Sequence, residues 1–192
     1  MDTRVWMPVI IVAVAIVLLV AVLLVSRRRR SEHLKDQFGP EYDRTLKMHG
    51  DQHKAEAVLL DREKRVEKFS LRPLPSADRE RYAEQWAAVQ RQFVDDPSTA
   101  VTKADKLVTT VMAARGYPTA DFEQRAADIS VHYPRLVENY RSAREVTLRH
   151  SRGESSTEDL RQAMVYFRSL FDELLESPKN QSVGDPRERL AS

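Results

Sequence analysis

Hydrophobic positions along the chain follow two patterns. From residue 5 to residue 25 no position is charged, and nearly all are Val, Ile, Leu or Ala, so a helix built from them has no polar face at any angle. At about 1.5 Å per residue that helix covers roughly 30 Å, the thickness of a bilayer's hydrocarbon core. Pro8 falls in its first turn, where a missing N–H costs little, and Trp6 falls where an amphipathic ring can sit at headgroup level. Beyond residue 31 apolar residues return every third or fourth position, and no stretch alternates long enough to make a strand.

The second pattern predicts a succession of helices. FGP at 38–40 interrupts the chain, because Pro40 disfavours helical geometry at Gly39. A short helix then runs to Gly50. A longer one follows over 51–70, with Ala55, Leu59, Val66 and Phe69 on a thin stripe that suits packing against the rest of the chain or against a second copy. LRPLP at 71–75 reads as a stiff linker. The next helix has Ser76 as N-cap and buries Tyr82, Trp86, Val89 and Phe93. DDP at 95–97 stops it and starts another, with Asp96 as N-cap and Pro97 at the first helical position. Val101, Ala104, Leu107, Val108, Val111 and Met112 line that helix. RGYP at 115–118 ends it, with Gly116 in the left-handed conformation and Tyr117 folded back. A shorter helix after Thr119 turns Phe122, Ala126 and Ile129 inward. HYP at 132–134 precedes one carrying Leu136, Val137, Tyr140, Ala143 and Thr147. The last has a capping box in Ser155 and Glu158 and the densest stripe: Leu160, Met164, Phe167, Leu170, Phe171 and Leu174. Residues 178–192 are polar and are expected to be disordered.

The fold class expected is all-α: an N-terminal transmembrane helix, a charged juxtamembrane helical segment, and a compact bundle of about five helices. The divisions are a short N-terminus at 1–4, the span at 5–25, a basic stop with juxtamembrane helices and linker at 26–75, the bundle at 76–177 and the tail at 178–192. No internal repeat supports a solenoid.

Charge fixes the orientation. The chain carries a net +2. Asp2 and Arg4 cancel, while Arg27, Arg28, Arg29 and Arg30 contribute four positive charges, so subtracting them leaves residues 31–192 at −2. That near-neutral remainder lacks the positive field that nucleic acid demands. The four arginines follow the apolar run directly. By the positive-inside rule they hold the C-terminal part in the cytoplasm and leave the N-terminus outside, at the inner (plasma) membrane. They also suit anionic headgroups, at about 1 kcal/mol per residue. A cleaved signal peptide has its basic residues before a shorter apolar run and small residues after it. Here the run is longer and its exit reads LLVSRRRR. Cysteine is absent, which removes disulfides, thiolate nucleophiles and a lipidated cysteine.

FGPEYDRT at 38–45, RYAEQWAAVQRQFVDDP at 81–97, ADKLV at 104–108, RGYP at 115–118 and STEDLRQAMVYFRSLFDELL at 156–175 occur together. In combination they resemble a family of small, uncharacterised bacterial membrane-anchored proteins, seen particularly in actinobacteria. The resemblance implies a cytoplasmic helical domain behind one span. It implies no activity, and no functional residue is carried over.

Sites of chemistry are sparse. His49 and His53 are four apart with Asp51 between them, but Gly50 interrupts the helix and no third ligand is evident, so they read as surface histidines. Asp95 and Asp96 read as a capping pair rather than an acid and base. His132 reads as a capping or packing residue, and His33 and His150 sit among charges. Tyr82 and Trp86 fall on one face and the polar groups of their helix on the other, which is core plus solvated rim rather than a base-stacking platform. GxSxG, P-loop, HExxH, GxGxxG and EF-hand patterns do not occur. No catalytic, cofactor-binding or metal-binding residue is therefore assigned.

Arg81, Gln85, Arg115 and Arg141 are the candidate interaction surface, since arginine is enriched at interfaces. The expected function is a membrane-anchored protein-interaction or scaffold module. A membrane-associated enzyme and a sensor of anionic lipid surfaces are the alternatives. The partners implied are lipid around the N-terminal helix, a protein against the bundle, and a second copy of the chain; nucleic acid is not among them.

Overall fold

The computed structural model describes residues 3–118 and 121–176, with side chains from residue 16 onward. Among the described residues there are eight helices and no strand, as the apolar periodicity predicts. The expected disordered tail at 178–192 and Thr119 lie outside them, as do the side chains of Trp6 and Pro8. The chain divides into two compact units, Met1–Asp61 and Arg62–Ser192.

The first unit begins with α1 (Thr3–Phe38), a single 36-residue helix. It does not break at the arginines. Arg, Glu, Lys and Gln are good helix formers and carry it without interruption to Gly39. Pro40 then starts α2 (Pro40–His49), which ends on Gly50 at φ 65°, with the Gly50 N–H donating to the Leu46 carbonyl. Most of α3 (Gln52–Val66) completes the unit. Leu34, Phe38, Tyr42, Ala55 and Leu59 are its buried apolar side chains.

A polar network ties these helices together. Glu56 Oε1 accepts from the Tyr42 hydroxyl at 3.0 Å and from Gln52 Nε2 at 2.8 Å, and Gln52 Nε2 also donates to Ser31 Oγ at 3.0 Å. Burial pushes the Glu56 carboxyl up, but hydrogen bonds from Gln52, Ser31 and Tyr42 and the nearby His53 outweigh it and hold the pKa below its ordinary 4.5. A carboxylate with a depressed folded pKa stabilises the fold above its unfolded pKa and loses that contribution as pH falls through the folded one. The melting advantage of wild type over Glu56→Gln should therefore be complete at pH 7 and shrink as pH falls below about 4.5, as circular dichroism of the chain in detergent will read.

In the second unit the expected stripes become the core. The five helices are α4 (Ser76–Asp95), α5 (Pro97–Ala114), α6 (Phe122–Ile129), α7 (Pro134–His150) and α8 (Thr157–Leu175). α5 packs on α4 and α8, and α7 packs on α8 and α6. Trp86 of α4 stacks on Phe171 of α8, with ring centroids 4.6 Å apart. Tyr140 of α7 meets Phe167 edge-on at 6.1 Å. Phe93, Leu136 and Thr147 are only half-buried, and Val146 takes the core position expected of Thr147.

Two helix starts differ from expectation. Ser76 lies inside α4, because Pro75, at φ −57° and ψ 151°, occupies the cap position. At α8 the capping box is Ser156 and Asp159, one residue later than expected. The hydroxyl of Ser155 is taken by His150 Nδ1 at 3.0 Å, and Glu158 instead pairs with Arg161 at 2.6 Å. Ser156→Ala should therefore cost about 1 kcal/mol in thermal unfolding, and Glu158→Ala should leave the melting temperature unchanged. Asp96 caps α5 as expected, accepting from the Thr99 N–H at 3.1 Å.

The segment read as a linker is part of the second unit's packing. Leu74 is buried, the Arg72 N–H donates to the Arg115 carbonyl at 3.0 Å, and Arg72 Nε donates to the Ala114 carbonyl at 3.1 Å. The end of α5 receives this segment through a tight turn. Gly116 has φ 96°; its N–H donates to the Ala113 carbonyl, and the Tyr117 N–H donates to the Met112 carbonyl. That is the expected left-handed ending, with Tyr117 folded back and buried.

Candidate functional site

Soluble helices hide their apolar stripe, and α4 to α8 do. The described shaft of α1 does the opposite. Every large aliphatic side chain at 16–25 is exposed, from 48% at Val20 to 66% at Val17. Because these residues are consecutive, the exposed apolar surface goes all the way round the helix. Elsewhere large exposed apolar residues, such as Met48, Val94, Leu148 and Val165, are isolated. Among the described residues no helix is long and apolar enough to cross a membrane. The described apolar shaft is residues 16–25, and the remainder of the charge-free run, 5–15, falls where side chains are not described.

Directly after the shaft the arginines at 27, 28, 29 and 30 are all exposed. Arg28 pairs with Glu32 at 3.3 Å, both side chains being mostly in solvent, where such a pair is weak.

The candidate interaction residues go to different places. Arg81 and Gln85 are exposed one turn apart on α4, with Arg81 paired to Asp78 at 2.8 Å and its guanidinium 5.0 Å from the Tyr82 ring centroid. Arg141, on α7, is mostly covered and donates to Glu123 of α6 at 2.6 Å. Arg115 departs furthest from expectation, being 3% exposed. It donates from NH1 to the carbonyls of Leu174 at 2.9 Å and Glu176 at 2.7 Å. Those are orphan acceptors at the negative end of the α8 dipole, so a cation there is stabilising. Arg115 is thus a clamp between the ends of α5 and α8, and it offers nothing to a partner. Arg115→Met keeps the apolar stem and removes the clamp, and should cost about 2 kcal/mol in thermal unfolding.

A buried polar knot escaped the sequence reading. Asp128 of α6, 1% exposed, accepts at Oδ1 from Arg65 Nε at 2.8 Å and from Gln124 Nε2 at 2.8 Å. Arg62 NH1 lies 3.4 Å from Ser130 Oγ. The Arg65 pairing spans 63 residues of sequence, so no local motif announces it.

His132 Nδ1 lies 2.9 Å from the Tyr117 hydroxyl, in agreement with a packing role. Burial of that edge, then the positive charge of Arg115, pulls its pKa below the ordinary 6.5, while burial raises that of Tyr117. His150 bridges Ser98 at 2.7 Å and Ser155 at 3.0 Å. His49 and His53 are both exposed. Among the described residues no group of three or more His, Cys, Asp or Glu could hold a metal ion. No protein-family model, curated protein or solved structure matches the chain.

Proposed function

We propose that the chain is a single-pass inner-membrane protein whose cytoplasmic helical bundle binds another protein, with residues 5–25 as the anchor and its N-terminal side outside. The observation that carries the anchorage is the shaft at 16–25, apolar on every side and uncovered, running straight into four exposed arginines. Acyl chains satisfy such a shaft, and the arginines set its direction. The binding role draws support from the contrast between a well-filled core and a surface where Arg81 and Gln85 stand exposed together on α4. Anchorage confines the bundle to a thin layer and raises its effective concentration toward membrane-bound partners. The uncharacterised membrane-anchored family that the motifs resemble is in keeping with this reading.

In-cell crosslinking followed by mass spectrometry tests it, with a span-only chain as control. The expected result is a discrete partner recovered with the whole chain, absent from the control and reduced by Arg81→Glu together with Gln85→Lys. Recovery of only abundant bystanders, equally with both chains, contradicts it.

A further inference from the structure

The arginine run is not uniform in its surroundings. Arg27, Arg28, Arg30 and Ser31 of α1 face Gln52, His53 and Glu56 of α3 across a cleft of about 390 Å³, all within the first unit. Arg29 is not part of it. Helix geometry explains the sorting. At about 100° per residue, Arg29 lies on the far side of the helix and Arg28 at the edge, while residues 27, 30, 31, 34 and 38 cluster on one side. That is the face on which Leu34 and Phe38 are buried.

We propose that this cleft is a binding site for a phosphate group, held by the guanidinium groups of Arg27 and Arg30, with His53 opposite. Arg27 and Arg30 have no carboxylate partner among the described residues, and Arg28, at the edge of that face, makes only its weak pair with Glu32. Guanidinium forks match phosphate oxygens with two parallel donors each. Glu56 is the single carboxylate in the wall, against three arginines. Its Oε1 is already taken by Tyr42 and Gln52, and the Gln52 amide spends its two N–H groups on Glu56 and Ser31.

The cleft starts at residue 27, two positions beyond the last residue of the apolar run. At about 1.5 Å per residue that is about 3 Å along the helix, the depth of a lipid phosphate if residues 5–25 are embedded. The phosphodiester of an anionic lipid is therefore one source of the ligand, and this source rests on the anchorage proposed above. Free phosphate is the other source and does not depend on it.

The test compares three variants of equal charge, Arg27→Gln, Arg30→Gln and Arg29→Gln, in the full chain. In one arm the chain sits in phosphatidylcholine nanodiscs with a minor fraction of spin-labelled phosphatidylglycerol, and the immobilised label is read. In the other, inorganic phosphate is titrated calorimetrically into the chain in nonionic detergent. Circular dichroism confirms that each variant keeps its helix. Arg27→Gln and Arg30→Gln should each bind about tenfold more weakly than Arg29→Gln, a difference of about 1.4 kcal/mol, and Arg29→Gln should lose only the diffuse attraction of one surface charge. That ranking in the nanodisc arm identifies a lipid phosphate, and the same ranking with inorganic phosphate alone identifies a soluble one. Equal losses in all three variants would mean diffuse attraction to the membrane surface and overturn the proposal. So would binding in neither arm. Failure of the anchorage itself shows separately, as release of the wild-type chain from membranes.

Discussion

Replacing Gly116 by alanine is expected to destabilise the second unit by about 3–5 kcal/mol, several times the cost of the same change at Gly153. Both glycines have positive φ, 96° at Gly116 and 77° at Gly153, so both substitutions carry the left-handed penalty of about 1–2 kcal/mol. They differ in what a methyl group would meet. At Gly153 there is nothing within 4 Å, whereas at Gly116 a Cβ would sit 2.5 Å from the Ser70 carbonyl oxygen and 3.2 Å from its carbon. Backbone cannot swing aside as a flexible side chain would. The segment at 70–72 must retreat, and with it go the hydrogen bonds from Arg72 to the carbonyls of Arg115 and Ala114. Thermal unfolding of the two variants in detergent should separate them by about 10 °C, and equal losses would show that the close approach does not matter.

The second large effect concerns partitioning. Changing Leu18 and Leu19 to arginine places two charges within the proposed span, each costing about 3 kcal/mol near a helix centre. The wild-type chain should stay in the membrane pellet after alkaline extraction, and the double variant should appear in the supernatant. Both side chains are exposed, 61% and 60%, so the substitution disturbs no core and the bundle should keep its melting behaviour. Retention of the variant in the pellet would mean that something other than this shaft holds the protein there.

Much of the bundle could be read from the sequence because helical periodicity is local. Tyr82, Trp86 and Val89, or Leu160, Met164, Phe167 and Leu174, announce a buried face by spacing alone, and all are buried. Asp96 before Pro97 announces a cap for the same reason. What escaped depends on neighbours distant in sequence. Ser155 and Ser156 are equivalent as caps until His150 occupies the first hydroxyl. An arginine beside a helix-ending glycine looks like surface until the carbonyls of Leu174 and Glu176 arrive to receive it. The 70–75 segment has the same two-proline signature whether free or packed, and the burial of Leu74 and the hydrogen bonds from Arg72 distinguish the two. The four arginines were conspicuous, but their division into cleft and non-cleft members needed α3 folded back beside them.

The central claim is that one embedded helix holds the bundle on the cytoplasmic side. The chain has no cysteine, so a single introduced one gives an unambiguous label. Asp2→Cys and Glu145→Cys, the latter at an exposed position of α7, should be treated in intact cells with a membrane-impermeant maleimide. The account predicts labelling at residue 2 at once and at residue 145 only after the membrane is permeabilised. Labelling at residue 145 in intact cells, with residue 2 protected or the chain free in the medium, would contradict it.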